Sequence, residues 1–221
     1  MNLHRTSTLF READKLERNK MKRIGILGGT FNPVHKGHLR IAEIALKEFK
    51  LDKVVFIPSG IPPHKPKAGI APKEDRFRMI EIAIKPFKKF VASRIELDRP
   101  GYSYAVDTFN DLKRDFGKRA HLYYIMGLDS INDILSWKKP LELFKMCKFI
   151  VATRPGAKIR SLKRLMKFPP LKINADKIDI VETKFDISSS EIREDVKAGR
   201  SIVRRVPKEV VEYIDRKGLY S

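Results

Sequence analysis

The stretch G-G-T-F-N-P-V-H-K-G-H-L, residues 28–39, puts two imidazoles three positions apart just after two glycines and a proline. It follows the apolar run I-G-I-L and precedes an amphipathic segment, so it reads as a strand-to-helix turn. Glycines in such a turn let backbone N–H groups approach an anion closely. His35 and His38 would then lie on one side of a helix start, where the exposed N–H groups and the helix dipole already favour negative charge. Converging donors of this kind form a phosphate site. Zinc is a rival use for a histidine pair, but Cys147 is isolated and no third ligand stands at an obvious spacing, so no metal site is expected. Neither G-x-G-x-x-G nor G-x-x-x-x-G-K-[ST] occurs, which weighs against dehydrogenase and P-loop readings.

A second candidate is D-I-S-S-S-E-I-R-E, residues 186–194. Ser188 or Ser189 suits a helix N-cap, and Arg193, one turn in, can reach an anion held at the helix start. Taken alone, an ordinary capped helix is the better explanation of these residues.

These groups need a scaffold, and the hydrophobic pattern supplies one. Apolar, β-branched runs at 23–27, 53–57, 91–93, 121–126, 148–152 and 178–181 read as strands. Amphipathic segments at 36–49, 73–84, 104–116, 141–146, 160–167, 188–198 and 207–216 read as helices. The alternation predicts an α/β fold, a doubly wound parallel sheet with helices on both faces, whose ligands bind beyond the carboxyl ends of the strands. With 221 residues the chain suits a single domain at 21–221, preceded by a flexible extension at 1–20.

The balance of 47 Lys plus Arg against 27 Asp plus Glu gives a formal charge of +20, which favours anionic partners: phosphate-bearing substrates or nucleic acid. Residues 154–172 contain no acid and form a basic run, read either as a solvated helix between loops or as an anion-facing lid. No aromatic-rich nucleic-acid signature accompanies it. One cysteine excludes an intramolecular disulfide, and no apolar window has the length of a membrane span, so a cytoplasmic protein is expected.

Together, G-G-T-F-N-P-V-H-K-G-H and I-S-S-S-E-I-R resemble the HxGH and ISSxxIR signatures of the nucleotidylyltransferase superfamily. Three central stretches resemble the bacterial nicotinate mononucleotide adenylyltransferase branch: I-P-S-G-I-P-P-H-K (57–65), G-Y-S-Y-A-V-D-T (101–108), and Y-I-M-G-L-D-S with Trp137 downstream. The R-P-G at 154–156 and the segment Y-I-D-R-K-G-L-Y also fit that branch.

The resemblance implies a Rossmann-like fold and transfer of the adenylyl group of ATP to nicotinate mononucleotide, with Mg²⁺ carried by ATP and pyrophosphate. It further implies residue roles. His35, His38 and Arg193 would be catalytic, and Gly28, Gly29, Thr30, Phe31, Ser188 and Ser189 would bind ATP. His64, Lys65, Tyr104, Ala105, Asp129 and Trp137 would bind the acceptor, with Asp129 at a ribose hydroxyl and Trp137 on the pyridine ring. Each has a plainer reading, such as loop stiffening by Pro62 and Pro63 or a capping role for Asp129. Where the family commonly reads G-P-S-Y-T this chain has G-Y-S-Y-A, so Ala105 replaces the threonine associated with the pyridine carboxylate. Asn32 stands where Asp is frequent. Another acceptor, nicotinamide mononucleotide or phosphopantetheine, is the alternative within enzymes. A basic nucleic-acid-binding protein is the alternative outside them.

Overall fold

The computed structural model describes residues 21–63, 69–153, 175–183 and 185–221. The extension at 1–20, His64 and Lys65, and the basic run at 154–172 with its expected helix lie outside the described residues.

Among the described residues, six strands form one sheet: β1 (Lys22–Gly29), β2 (Lys53–Pro58), β3 (Phe90–Ala92), β4 (Ala120–Gly127), β5 (Lys148–Thr153) and β6 (Ile178–Glu182). Their spatial order is β3-β2-β1-β4-β5-β6 and every pairing is parallel. The chain winds outward in one direction from β1 and then, after β3, in the other from β4. That reversal opens a crevice above the carboxyl ends of the two central strands, where the glycine-rich turn begins.

Residues of one strand alternate between two separate cores because side chains in a strand alternate faces. Ile24 and Ile26 of β1 join Val55, Ile57, Leu122, Tyr124, Phe149 and Val151 in one core. That core is covered by α3 (Ala105–Phe116) through Val106, Phe109 and Leu112, and by α5 (Pro140–Met146) through Leu143 and Phe144. Leu27 faces the other way and packs with Val54, Phe56, Ile125, Ile150 and Val181. There α1 (Lys36–Glu48) contributes Leu39, Ala42 and Ala45, and α2 (Lys73–Ile84) contributes Met79, Ile80 and Ala83. The same layer takes Ile192 of α6 (Ser189–Lys197) and Val210 and Ile214 of α7 (Lys208–Lys217). A short helix, α4 (Leu128–Asn132), follows β4 directly and was not among the expected segments.

The expected elements inside the described residues form within a few positions of the expected ends, as local fraying allows. Pro207 precedes the first turn of α7, and Gly218 ends it in the left-handed conformation at φ 59°. Among the described residues, no helix is long and apolar enough to cross a membrane.

Candidate active site

β1 runs through Gly28 and Gly29 before the chain turns. Neither glycine has a positive φ, so neither is required for its conformational freedom. Gly28 supplies space: a Cβ there would lie 3.1 Å from the Tyr124 hydroxyl on neighbouring β4. Phe31 takes the left-handed conformation at φ 50° and is almost wholly buried, with its ring centroid 4.9 Å from that of His38 and 5.9 Å from that of Phe56.

His35 is the N-cap residue of α1, with extended backbone, and His38 sits in the first turn. Their rings stack with centroids 3.7 Å apart and planes 27° apart. The His35 N–H donates to His38 Nδ1 at 3.2 Å. An accepting Nδ1 puts the proton of a neutral His38 on Nε2, leaving that nitrogen as a donor. His35 is buried beneath, while His38 is half-buried and the more accessible of the two. Gly37 makes the stack fit, because a Cβ there would fall 2.9 Å from His35 Nδ1 and 3.0 Å from its Cε1.

The opposite wall is the start of α6. Ser189 Oγ donates to the Pro33 carbonyl at 3.0 Å, and Arg193 Nη1 donates to the Asn32 carbonyl at 2.9 Å. Arg193 Nη2 also reaches Ser190 Oγ at 3.3 Å. Ser188 occupies the N-cap position with extended backbone, yet its side chain makes no capping bond, while Ser189 docks α6 on the histidine turn. The Asn32 side chain fixes the turn from behind. Its Nδ2 donates to the Gly69 carbonyl at 2.8 Å, while its Oδ1 accepts from the Ala71 N–H at 3.0 Å and the Tyr220 hydroxyl at 2.8 Å. An amide satisfies all three partners; a carboxylate would set an acceptor against the Gly69 carbonyl.

Of the residues expected at the acceptor, the structure describes Tyr104, Ala105, Asp129 and Trp137. The Tyr124 ring lies 6.1 Å from the Trp137 ring, centroid to centroid. Tyr104 precedes α3 as its N-cap residue, with the Lys138 ammonium 4.7 Å from its ring centre and the Tyr102 ring at 6.1 Å. Lys138 also pairs with Asp107 at 2.9 Å. Ala105 opens α3 beside Tyr104 and is half-buried. Gly60, in the loop after β2, donates its N–H to Ser103 Oγ at 2.9 Å, and a Cβ on it would lie 2.5 Å from the Glu96 carbonyl. Asp129 is exposed in the first turn of α4, whose N-cap is Gly127 rather than Asp129.

The fold thus gathers Gly28, Gly29, Thr30, Phe31, His35, His38, Ser188, Ser189 and Arg193 at one turn. Trp137 packs beside Tyr124, whose hydroxyl faces Gly28, and Tyr104 lies against the same apolar core. Sequence reasoning passed over Arg76, Glu96, Ser103, Tyr124 and Tyr220. Arg76 had a signal: it precedes buried Met79, Ile80 and Ala83 at helical spacing, which places it on the inner face of α2. Glu96 is a buried carboxylate that accepts from Thr108 Oγ1 at 2.7 Å, and burial raises its pKa against the opposing pull of Thr108, Arg99 and Ser103. Burial likewise raises the Tyr124 hydroxyl and the Cys147 thiol, which leaves both neutral.

The donors facing the turn are imidazole N–H, guanidinium and backbone N–H, a set that suits anionic oxygens. Among the described residues, no group of three or more His, Cys, Asp or Glu could hold a metal ion.

The chain matches the cytidylyltransferase-like family over residues 26–195. It is 43% identical over 199 residues to a probable nicotinate-nucleotide adenylyltransferase of Thermoanaerobacter sp. (strain X514), covering 90% of this chain and 94% of that one. The corresponding protein of Moorella thermoacetica is also 43% identical, over 90% of this chain and 91% of its own. Among solved structures, nicotinic acid mononucleotide adenylyltransferase of Plasmodium falciparum complexed with NaAD superposes with a TM-score of 0.73 at 22% identity, covering 90% of this chain and 97% of that one, a likeness of fold. The motifs, the sheet order and the identity over nine-tenths of the chain lead to one placement: this protein belongs to the nicotinate-nucleotide adenylyltransferase family, within the cytidylyltransferase-like proteins.

Proposed function

We propose that this protein transfers the adenylyl group of ATP to nicotinate mononucleotide, giving nicotinate adenine dinucleotide and pyrophosphate in NAD biosynthesis. The observation that carries this reading is the docking of Ser189 and Arg193 on the turn that presents the stacked His35 and His38. Two separate sequence motifs thereby meet at the sheet's switch point, which supports reading them as one anion site. The relatives' names supply the acceptor.

In this reaction an oxygen of the acceptor's 5′-phosphate attacks the α-phosphorus of ATP. A P–O bond forms there, the bond to the β-phosphate bridge oxygen breaks, and its electron pair leaves with pyrophosphate. The nucleophile is already an anion, so no side chain has to take up a proton or form a covalent intermediate. The protein's task is to align two polyanions and neutralise the charge that builds at the reacting phosphorus. His38 presents its Nε2–H to the phosphates, His35 supports it from below, and Arg193 and the N–H groups at the starts of α1 and α6 supply further positive character. Gly28, Gly29, Thr30 and Phe31 line the nucleotide side with Ser188 and Ser189. Tyr104, Ala105, Asp129 and Trp137 serve the acceptor, together with His64 and Lys65 of the sequence that follows β2. Mg²⁺, carried by ATP and pyrophosphate rather than by the protein, would offset charge on their oxygens. The single, buried cysteine and the small, anionic substrates favour a cytoplasmic setting.

Pyrophosphate release from ATP, measured across nicotinate mononucleotide, nicotinamide mononucleotide and phosphopantetheine, tests the assignment. The highest kcat/KM is expected with nicotinate mononucleotide. A preference for either other acceptor would reassign the substrate, and tight, salt-sensitive RNA or DNA binding without turnover would replace the enzyme by a nucleic-acid-binding protein.

A further inference from the structure

Glu96 lies in the connection between β3 and α3 and is buried, at 9% exposure. Two hydroxyls, one just ahead of α3 and one in its first turn, bond its carboxyl group. Thr108 Oγ1 donates to Oε1 at 2.7 Å, and the Ser103 side chain adds a weaker hydrogen bond. Each hydroxyl oxygen also accepts from another part of the chain: Thr108 Oγ1 from Arg99 Nη1 at 2.9 Å, and Ser103 Oγ from the Gly60 N–H at 2.9 Å. The Ser103 backbone closes the same contact, its N–H donating to the Ile61 carbonyl at 2.9 Å beside a parallel bridge between Ile61 and Tyr102. The backbones come close as well, since a Cβ on Gly60 would lie 2.5 Å from the Glu96 carbonyl.

Burying a carboxyl group costs free energy, and an apolar side chain of similar volume would fill the space at less cost. An ionised carboxyl group offers something an apolar one does not: two acceptor oxygens and no donor. It takes the proton of each hydroxyl, which leaves the oxygen lone pairs to Arg99 and to Gly60. Without that acceptor the Thr108 proton is left with the Tyr104 carbonyl, at 3.4 Å, and the Ser103 hydroxyl is free to turn away from the Gly60 N–H. The Gly60 carbonyl is tied separately, accepting from Arg76 Nη2 at 3.3 Å, so the Ser103 bond acts on the N–H side of that peptide.

Tyr104 and Ala105 stand in sequence between the two hydroxyls. From this geometry we propose that Glu96 is a positioning residue: by orienting the Ser103 and Thr108 hydroxyls it fixes the start of α3 against residues 59–61, and so sets how Tyr104 and Ala105 are presented to the acceptor. The proposal rests on the adenylyltransferase reading above and deepens it.

Wild-type protein, Glu96→Gln, Ser103→Ala and the double variant are compared by initial rates, with ATP and nicotinate mononucleotide each varied at saturating levels of the other, and by thermal melting. Glu96→Gln keeps the shape and removes the charge, so it is expected to remain folded; its amide oxygen can accept one hydroxyl proton, but its nitrogen presents donors to the other. In that variant the acceptor KM is expected to rise about tenfold while the ATP KM changes less than about threefold. A general loss of folded protein lowers apparent kcat and moves neither KM, so the split reports positioning. Because Glu96 acts through Ser103, the double variant should have an acceptor KM within about twofold of the higher single variant. Multiplied effects, equal rises in both KM values, or an unchanged acceptor KM would overturn the proposal. If Glu96→Gln melts below the assay temperature, Ser103→Ala carries the comparison, with a rise of at least about threefold in the acceptor KM expected. Amide hydrogen exchange followed by NMR reads the same contact without turnover. Exchange at Gly60 and Ser103 is expected to be at least about fivefold faster in Glu96→Gln, with buried Ile24 of β1 unchanged as the reference, and equal rates at Gly60 contradict the proposal. Failure of wild type to turn over nicotinate mononucleotide would refute the functional reading, and the exchange rates would still decide whether Glu96 holds this contact.

Discussion

Gly37→Ala separates catalytic geometry from stability. An alanine Cβ at this position falls 2.9 Å from His35 Nδ1, 3.0 Å from His35 Cε1 and 3.5 Å from Ile187 Cβ. Comfortable carbon contacts begin near 3.5 Å, so the His35 ring must shift by about 0.5–1 Å. It has little free volume in which to do so, being 6% exposed and stacked 3.7 Å from His38, whose other neighbour is the Phe31 ring at 4.9 Å. In the opposite direction, replacing a helical glycine by alanine stabilises by about 0.5–1 kcal/mol. The two effects nearly offset each other in the folded state, and Tm is expected within about 2–4 °C of wild type, the shift that about 1 kcal/mol produces at this size. Activity has no such compensation. A displacement of about 1 Å in a positioned group can lower a rate by about 10², so kcat for pyrophosphate release at saturating ATP and nicotinate mononucleotide should fall about 10- to 100-fold. A kcat within twofold of wild type, in protein with unchanged Tm, would refute the claim that the stacked histidines require glycine between them.

Three further outcomes follow from the same geometry. His38→Ala removes the Nε2–H donor and should lower kcat about 10²–10³-fold, with Tm falling only the few degrees expected for one lost hydrogen bond and ring contact, as a melt and a rate assay on one preparation would reveal. Arg193→Ala loses the bond to the Asn32 carbonyl, worth about 1–2 kcal/mol, and should raise the ATP KM at least tenfold while moving the acceptor KM much less; a proportionate loss in both would mean that the arginine only braces α6. Glu96→Gln keeps an oxygen for Thr108 but cannot ionise. Because burial raises the folded pKa of Glu96, its contribution is fully present below the ordinary value of 4.5 and is lost as pH rises through the higher folded value. Chemical denaturation across that range should show wild type losing stability relative to Glu96→Gln as pH rises, and parallel curves would contradict the sign.

The sheet was readable in advance because buried parallel strands show as unbroken apolar runs, and because glycine and proline punctuate the helices. The histidine turn was readable because its chemistry lies within a dozen residues. What was not readable depends on partners distant in sequence. The reason for Gly28 is Tyr124 on another strand, and the reason for Asn32 is Gly69, Ala71 and Tyr220. Ser188 illustrates the opposite failure: a residue type suited to capping sits in the capping position, yet the neighbouring Ser189 turns its hydroxyl to Pro33. A propensity describes what a residue does when nothing else is near; here a packed turn was near. Arg76 was hidden by its charge, since a basic residue among basic and acidic neighbours is read as surface unless the helical period is followed strictly.

The contact between Asn32 and Tyr220 spans 188 positions, and those of Asn32 with Arg193 and Pro33 with Ser189 span 161 and 156. All six strands are complete once Glu182 has been added, yet the nucleotide turn still lacks α6 and the hydroxyl of Tyr220. A chain emerging from the ribosome could therefore have its whole sheet available to pair while its phosphate site stayed unfinished until the final stage of synthesis. Nascent molecules would be built first as scaffold and only then as catalyst, and one cut off shortly after β6 would retain every strand while remaining inert toward ATP.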